Sequence, residues 1–141
     1  MDTELNLSDS ELVVMRVIWT LGETSAEQIG KELENFNWSP STIKTFLARL
    51  TKKKILTTSR ISHRYIYKPT LTEDEAIEIM TQEFLRKICA RKHTSVIKNM
   101  VDSSQFTITD KQQLEQRMAK IKPVPEVVCD CVSNMQFCAC D

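Results

Sequence analysis

Between Ser39 and Lys68 the chain runs for thirty residues without an aspartate or glutamate. That stretch carries Lys44, Arg49, Lys52, Lys53, Lys54, Arg60, Arg64 and Lys68, with His63 beside them. The protein as a whole is neutral, with 19 basic and 19 acidic residues. The charge is therefore segregated, and a surface of one sign suits a phosphate-bearing partner better than a merely solvated face, which mixes signs. The same stretch constrains the fold. Ser39-Pro40 opens a helix, with a capping hydroxyl followed by proline at the first helical position. Ile43, Phe46, Leu47 and Leu50 recur at i, i+3, i+4 and i+7 and must face a core. The opposite face presents Ser41, Thr42, Lys44, Thr45, Ala48 and Arg49, small hydroxyls and cations that can approach a duplex and donate to phosphates and base edges. Lys52-Lys-Lys54 places positive charge at the helix C-terminus, where the helix dipole favours it.

The residues Ile55–Arg60 and Arg64–Lys68 alternate apolar, hydroxyl and aromatic side chains around Ile61-Ser-His63, the pattern of a β-hairpin. His63 at the hairpin tip reads as a solvent or phosphate contact. Two helices precede this region. Ser8 with Glu11 three residues on is a capping box for the first, Gly22 a natural stop, and Leu12, Met15, Ile18 and Trp19 share a face. Ser25 can cap the second, Ala26 to Asn35, with Ile29 and Leu33 inward, and Phe36-Asn-Trp38 forms an aromatic turn beneath the third. Three helices and a basic hairpin is the order of a winged helix-turn-helix domain, whose third helix enters the major groove while the hairpin touches backbone alongside. The candidate DNA contacts are Ser41, Thr42, Lys44, Thr45, Arg49, Lys52, Arg60, His63 and Arg64.

Pro69 breaks the second strand, and Thr72 with Glu75 caps a helix running to about Lys92. Its apolar side holds Ile77, Met80, Phe84, Leu85, Ile88 and Cys89, so Cys89 reads as a core thiol. Helices over Thr94–Val101 and Asp110–Ile121, the latter capped by Thr109, follow. They are too few and too thinly apolar to form a bundle alone, which points to burial against the same helices of a second chain. Lys122-Pro-Val-Pro125 is stiff and spaces the remainder from the helices. The expected organisation is mainly α: a winged-helix DNA-binding domain over residues 1–70, a helical dimerisation domain over 71–122, and a cysteine-rich tail over 123–141.

That tail ends in Cys129-Asp-Cys131, six residues, then Cys138-Ala-Cys140. Four of the five cysteines of the protein fall here. Four thiolates brought to one point suit a tetrahedral Zn(II), and soft sulfur also selects Cu(I). Two disulfides or four unconnected thiols are the competing readings. Met1-Asp-Thr-Glu-Leu-Asn is acidic and polar, unlike a secretory leader, so a reducing cytoplasmic location is expected and disulfides are the poorer account. Cys129, Cys131, Cys138 and Cys140 are therefore the candidate metal ligands. No apolar run approaches the roughly 20 residues that span a bilayer, so no membrane partner is expected.

Residues Ser8 to Ile121 resemble the BlaI/MecI-type winged-helix repressors in helix order, in the position of Trp19, and in Thr42-Ile-Lys-Thr45 and Arg49-Leu50. With the cysteine tail added, the chain resembles the CopY-type copper-responsive repressors. That resemblance implies a homodimer on a palindromic double-stranded DNA operator of the TACAnnTGTA type, upstream of copper-transport genes. It also implies Zn(II) on the tail in the DNA-bound form, and release when Cu(I), brought by a copper chaperone in some members, replaces it. The family spaces its two Cys-x-Cys pairs by four residues; six still permit closure. A metal carrier without DNA function is the alternative from another class, but it would not need the carboxylate-free basic face. A regulator released by proteolysis is a third. An enzyme is not expected: four cysteines leave a metal no open position for substrate, and no nucleophile–base pairing is evident.

Overall fold

A computed structural model describes residues 4–131 of the protein. The chain forms two compact units, Met1–Thr81 and Gln82–Asp141.

In the first unit, α1 (Asp9–Leu21), α2 (Ala26–Glu32) and α3 (Pro40–Lys52) surround one core, and two strands, β2 (Leu56–Ile61) and β3 (Arg64–Pro69), form the hairpin. A two-residue strand, β1 (Thr24–Ser25), adds to the other edge of β3, giving the antiparallel order β1-β3-β2. The extended link expected between the first two helices is thus part of the sheet. Val14, Met15, Ile18, Ile29, Leu47 and Leu50 are fully buried, with Ile43, Ile55 and Leu56 closing around them. Each such side chain contributes on the order of 1.5–3 kcal/mol by leaving water. Trp19 packs against this core and donates its indole N–H to the Leu71 carbonyl at 3.1 Å, fixing the chain where it leaves β3.

The helix ends follow their local chemistry. Ser8 Oγ accepts from the Glu11 amide at 3.1 Å, Ser25 Oγ from Gln28 at 3.3 Å and Ser39 Oγ from Thr42 at 3.1 Å. The second helix stops at Glu32, earlier than expected, and a 3-10 turn (Glu34–Phe36) leads into the aromatic corner. There Phe36 packs tilted on Trp38 and Trp38 meets Phe46 edge to face, with ring centroids 4.7 and 5.1 Å apart. This corner sets how α3 follows α2, as a helix-turn-helix requires.

α4 (Glu73–Arg86) starts in the first unit, with Thr72 and Glu75 bonding each other's backbone as a capping box. Its Ala76, Ile79 and Met80 join the core. In the second unit a 3-10 turn (Ala90–Lys92), α5 (His93–Ser103) and α6 (Ile108–Ala119) follow. α6 begins two residues earlier than expected because Thr107, not Thr109, makes the reciprocal cap with Asp110. Those bonds hold the Asp110 carboxyl below the usual carboxylate range. No residue of α5 or α6 is buried. Among the described residues no helix is long and apolar enough to cross a membrane.

Candidate nucleic-acid interface and thiol centre

α3 turns Ile43, Leu47 and Leu50 into the core and leaves Ser41, Lys44, Thr45, Arg49 and Lys52 exposed. Thr42 differs from these. It is half-buried, and its hydroxyl lies 2.9 Å from the capping Ser39 oxygen, so it supports the helix start. Thr45 donates its hydroxyl proton to the Ser41 carbonyl at 2.9 Å, leaving its oxygen as an acceptor. Among the described residues, Lys44, Arg49 and Lys52 enter no ion pair.

The hairpin stands next to this helix. Ile61 pairs with Arg64, so the loop is only Ser62-His63, shorter than expected. Ser62 takes the positive φ of 58° that such a two-residue turn needs at its first position. His63 is exposed at the tip. The Arg60 guanidinium lies over the Tyr65 ring, 5.8 Å from its centroid, which stiffens the wing. Arg64 approaches Glu27 at 3.5 Å, but both side chains are mostly exposed and the pair holds little energy. A groove lined by Lys44, Ala48, Lys52, Thr58, Tyr65 and Tyr67 separates α3 from the wing. Burial, reinforced by Tyr65, pushes the Tyr67 phenol up from its ordinary value, so it stays neutral and able to donate.

A second cluster lies in the other unit. α4 ends at Arg86 rather than running to Lys92. Its last turn tightens through Lys87 N–H to Phe84 O and Ile88 N–H to Leu85 O, and one His93 ring nitrogen sits 2.9 Å from both Leu85 O and Ile88 O. The expectation of Cys89 as a core thiol inside that helix is therefore corrected. Cys89 is extended (φ −52°, ψ 136°) and half-buried, with Sγ 3.6 Å from Cys129 Sγ. Cys129 Sγ is in turn 2.9 Å from Cys131 Sγ, and the three sulfurs lie within 4.8 Å of one another. Cys138 and Cys140 lie outside the described residues.

Sulfurs around one tetrahedral zinc, each about 2.3 Å from it, stand roughly 3.8 Å apart. The Cys89–Cys129 separation of 3.6 Å matches that edge, and Cys129–Cys131 at 2.9 Å is tighter. The donor set fits a thiophilic ion, Zn(II) or Cu(I), and not a hard oxygen-seeking one. Sequence periodicity missed Cys89, since nothing local signals a contact forty residues away.

The penicillinase repressor profile matches residues 7–120. The chain belongs to the penicillinase repressor family. This is a family of DNA-binding transcriptional repressors, not of enzymes. The chain is 36% identical over 135 residues to an uncharacterised 16.5 kDa protein from the ptsI 3′ region of Latilactobacillus sakei, covering 94% of this chain and 92% of that one. It is 32% identical over 117 residues to the penicillinase repressor of Bacillus licheniformis, covering 82% and 91%. A solved structure of a repressor named CopR is 42% identical, covering 47% of this chain and 97% of that one, with a TM-score of 0.42. Membership in the penicillinase repressor family agrees with the winged helix; the family profile ends before the tail cysteines.

Proposed function

We propose that this protein is a copper-responsive transcriptional repressor acting in the cytoplasm as a homodimer on a palindromic operator. The division of labour follows the chain: residues 1–70 read DNA, 71–122 dimerise, and the tail from 123 holds metal. Ser41, Lys44, Thr45 and Arg49 meet the major groove. Lys52, Arg60, His63 and Arg64 meet phosphates, and Thr42 orients the helix start. A repressor that takes its input from metal needs the metal site and the reading head in one chain. The observation that carries this reading is the convergence of the Cys89, Cys129 and Cys131 sulfurs in a chain that also presents a carboxylate-free basic helix.

Cys129, Cys131, Cys138 and Cys140 would hold Zn(II) in the operator-bound form. Cu(I) accepts two or three sulfurs and tolerates bridging thiolates, so exchanging it for zinc alters the charge and ligand angles of the tail. An effector acts only through its different free energies in the two states, and a coupling of about 1–3 kcal/mol is typical. In cells, Cu(I) would come from a copper chaperone.

Gel shifts of the zinc-loaded protein on a TACAnnTGTA duplex, titrated with Cu(I), test the reading. Specific binding that Cu(I) reverses is expected, along with no reversal in a version truncated after Val128. A truncated protein that Cu(I) releases as readily as the intact one overturns the metal assignment. No specific binding by the zinc protein overturns the operator assignment.

A further inference from the structure

We propose that Cys89 is a metal ligand alongside Cys129 and Cys131, so that the ion fastens the tail to the junction between α4 and α5. The inference rests on the metal reading above and supplies what that reading lacks, a route from tail to helices.

The meeting of the three sulfurs is set by backbone contacts on both sides of it. Arg91 donates through Nε to the Val127 carbonyl at 2.8 Å, and its Nη2 pairs with Glu126 at 2.6 Å. The Ala90 amide donates to Asp130 Oδ1 at 2.7 Å. Residues 126–130 are thus laid along residues 90–91, with Cys129 between the two attachment points. On the other side, the His93 ring holds the Leu85 and Ile88 carbonyls and fixes where Cys89 leaves the helix. A thiol just past the end of α4 and a thiol on the docked segment 126–130 meet at 3.6 Å, close to the spacing of two ligands of one ion.

The consequence is mechanical. A site made only of tail cysteines, beyond Pro123 and Pro125, can change its ion without moving any helix. With Cys89 in the coordination set, the ion links the tail to the turn that joins α4 and α5. A tetrahedral ion has four ligand positions, so Cys89 in the set displaces one of the four tail cysteines named above, while Cys129 and Cys131 stay. An ion satisfied by two or three sulfurs can leave Cys89 out, and the junction is then untied.

Per-cysteine alkylation read by mass spectrometry tests this on the full-length, reduced wild-type protein. One equivalent of Zn(II) should slow N-ethylmaleimide reaction at Cys89 at least about tenfold, together with Cys129 and Cys131. If Cys129 and Cys131 are protected while Cys89 reacts at its metal-free rate, this inference fails and the metal reading stands. If zinc protects none of the three, both fail. Co(II) loading separates ligation from mere shielding. In a Cys138→Ser, Cys140→Ser protein, whose remaining thiols are Cys89, Cys129 and Cys131, adding Cys89→Ser should lower the thiolate-to-Co(II) charge-transfer absorbance by about a third, one thiolate of three. An unchanged spectrum overturns the inference.

Discussion

Lys53 Nζ lies 2.7 Å from Glu11 Oε2, joining the C-terminal end of α3 to the first turn of α1. The Glu11 side chain is only 4% exposed against 33% for Lys53, and Lys53 also donates to the Asn6 carbonyl at 2.6 Å. One of the cations of the basic stretch is thus committed to closing the domain. Replacing it leaves a carboxylate buried without a counter-charge. A fully buried pair loses about 3–5 kcal/mol this way, and the partial exposure of Lys53 brings the expected loss for Lys53→Met to about 2 kcal/mol. Urea unfolding measures it. Adding Glu11→Gln to that variant should recover part of the loss, which is the coupling of a direct contact. Equal stability of Lys53→Met and wild type would mean the pair contributes nothing.

The same pair shows which interactions the sequence makes legible. Glu11 stands at the third position of a capping box, and the Ser8 half of that box forms as its spacing requires. The carboxylate instead goes to Lys53, 42 residues away, a choice made by the packing of α1 on α3 and absent from any local pattern. β1 is two residues long, too short to show a period, and becomes a strand only because Ile66 and Tyr67 pair with it. The inward face of α3 was legible because a helical stripe repeats. Cys89 was not, because the apolar pattern continues through Ile88 while His93 and the docked tail end the helix. At α6 the signal was present in sequence, since Thr107 precedes Asp110 by three residues just as a cap requires.

Lys54 adopts φ 64°, in the left-handed region, immediately after the α3 cap. Its amide bonds Thr51 O and the Ile55 amide bonds Leu50 O, the Schellman ending that ordinarily places glycine at this position. Lys54→Gly should therefore raise stability by about 0.5–1 kcal/mol in thermal or urea unfolding. If the ammonium group touches a phosphate, the same variant should bind operator more weakly and with a salt slope shallower by about 1. Gain in stability is the expected outcome; a destabilised Lys54→Gly protein would contradict the helix-ending account.

Lys44 and Arg49 are exposed and, unlike Lys53, enter no ion pair among the described residues. Lys44→Ala and Arg49→Ala should leave unfolding within about 0.5 kcal/mol of wild type, as surface substitutions do. Each should weaken operator binding by about 1–3 kcal/mol if it reads a base, with relaxed specificity at one position. A loss uniform across sequences, with a shallower salt slope, assigns the side chain to phosphate. Operator affinity unchanged in both variants would place the reading face elsewhere on α3.

α6 is a twelve-residue helix with no buried residue, and a helix of that length is marginal in water by itself. Leu114 and Met118 fall at i and i+4 along it, with Ile121 just past its end, and are 46%, 64% and 58% exposed. On α5, Ile97, Met100 and Val101 are about equally uncovered, at 52%, 48% and 48%. Apolar stripes on two successive helices fit burial against the same helices of a second copy, and two joined reading heads bind two half-sites far more tightly than one head binds one. Placing charge in that stripe opposes the association. The wild type is expected to sediment as a dimer and the double variant Leu114→Glu, Met118→Glu as a monomer, with a dimer dissociation constant raised at least about 100-fold. Its affinity for a full operator should fall towards that for a half-operator, while unfolding of the winged-helix unit stays unchanged. If the variant sediments as the wild-type dimer, the chains meet through another surface.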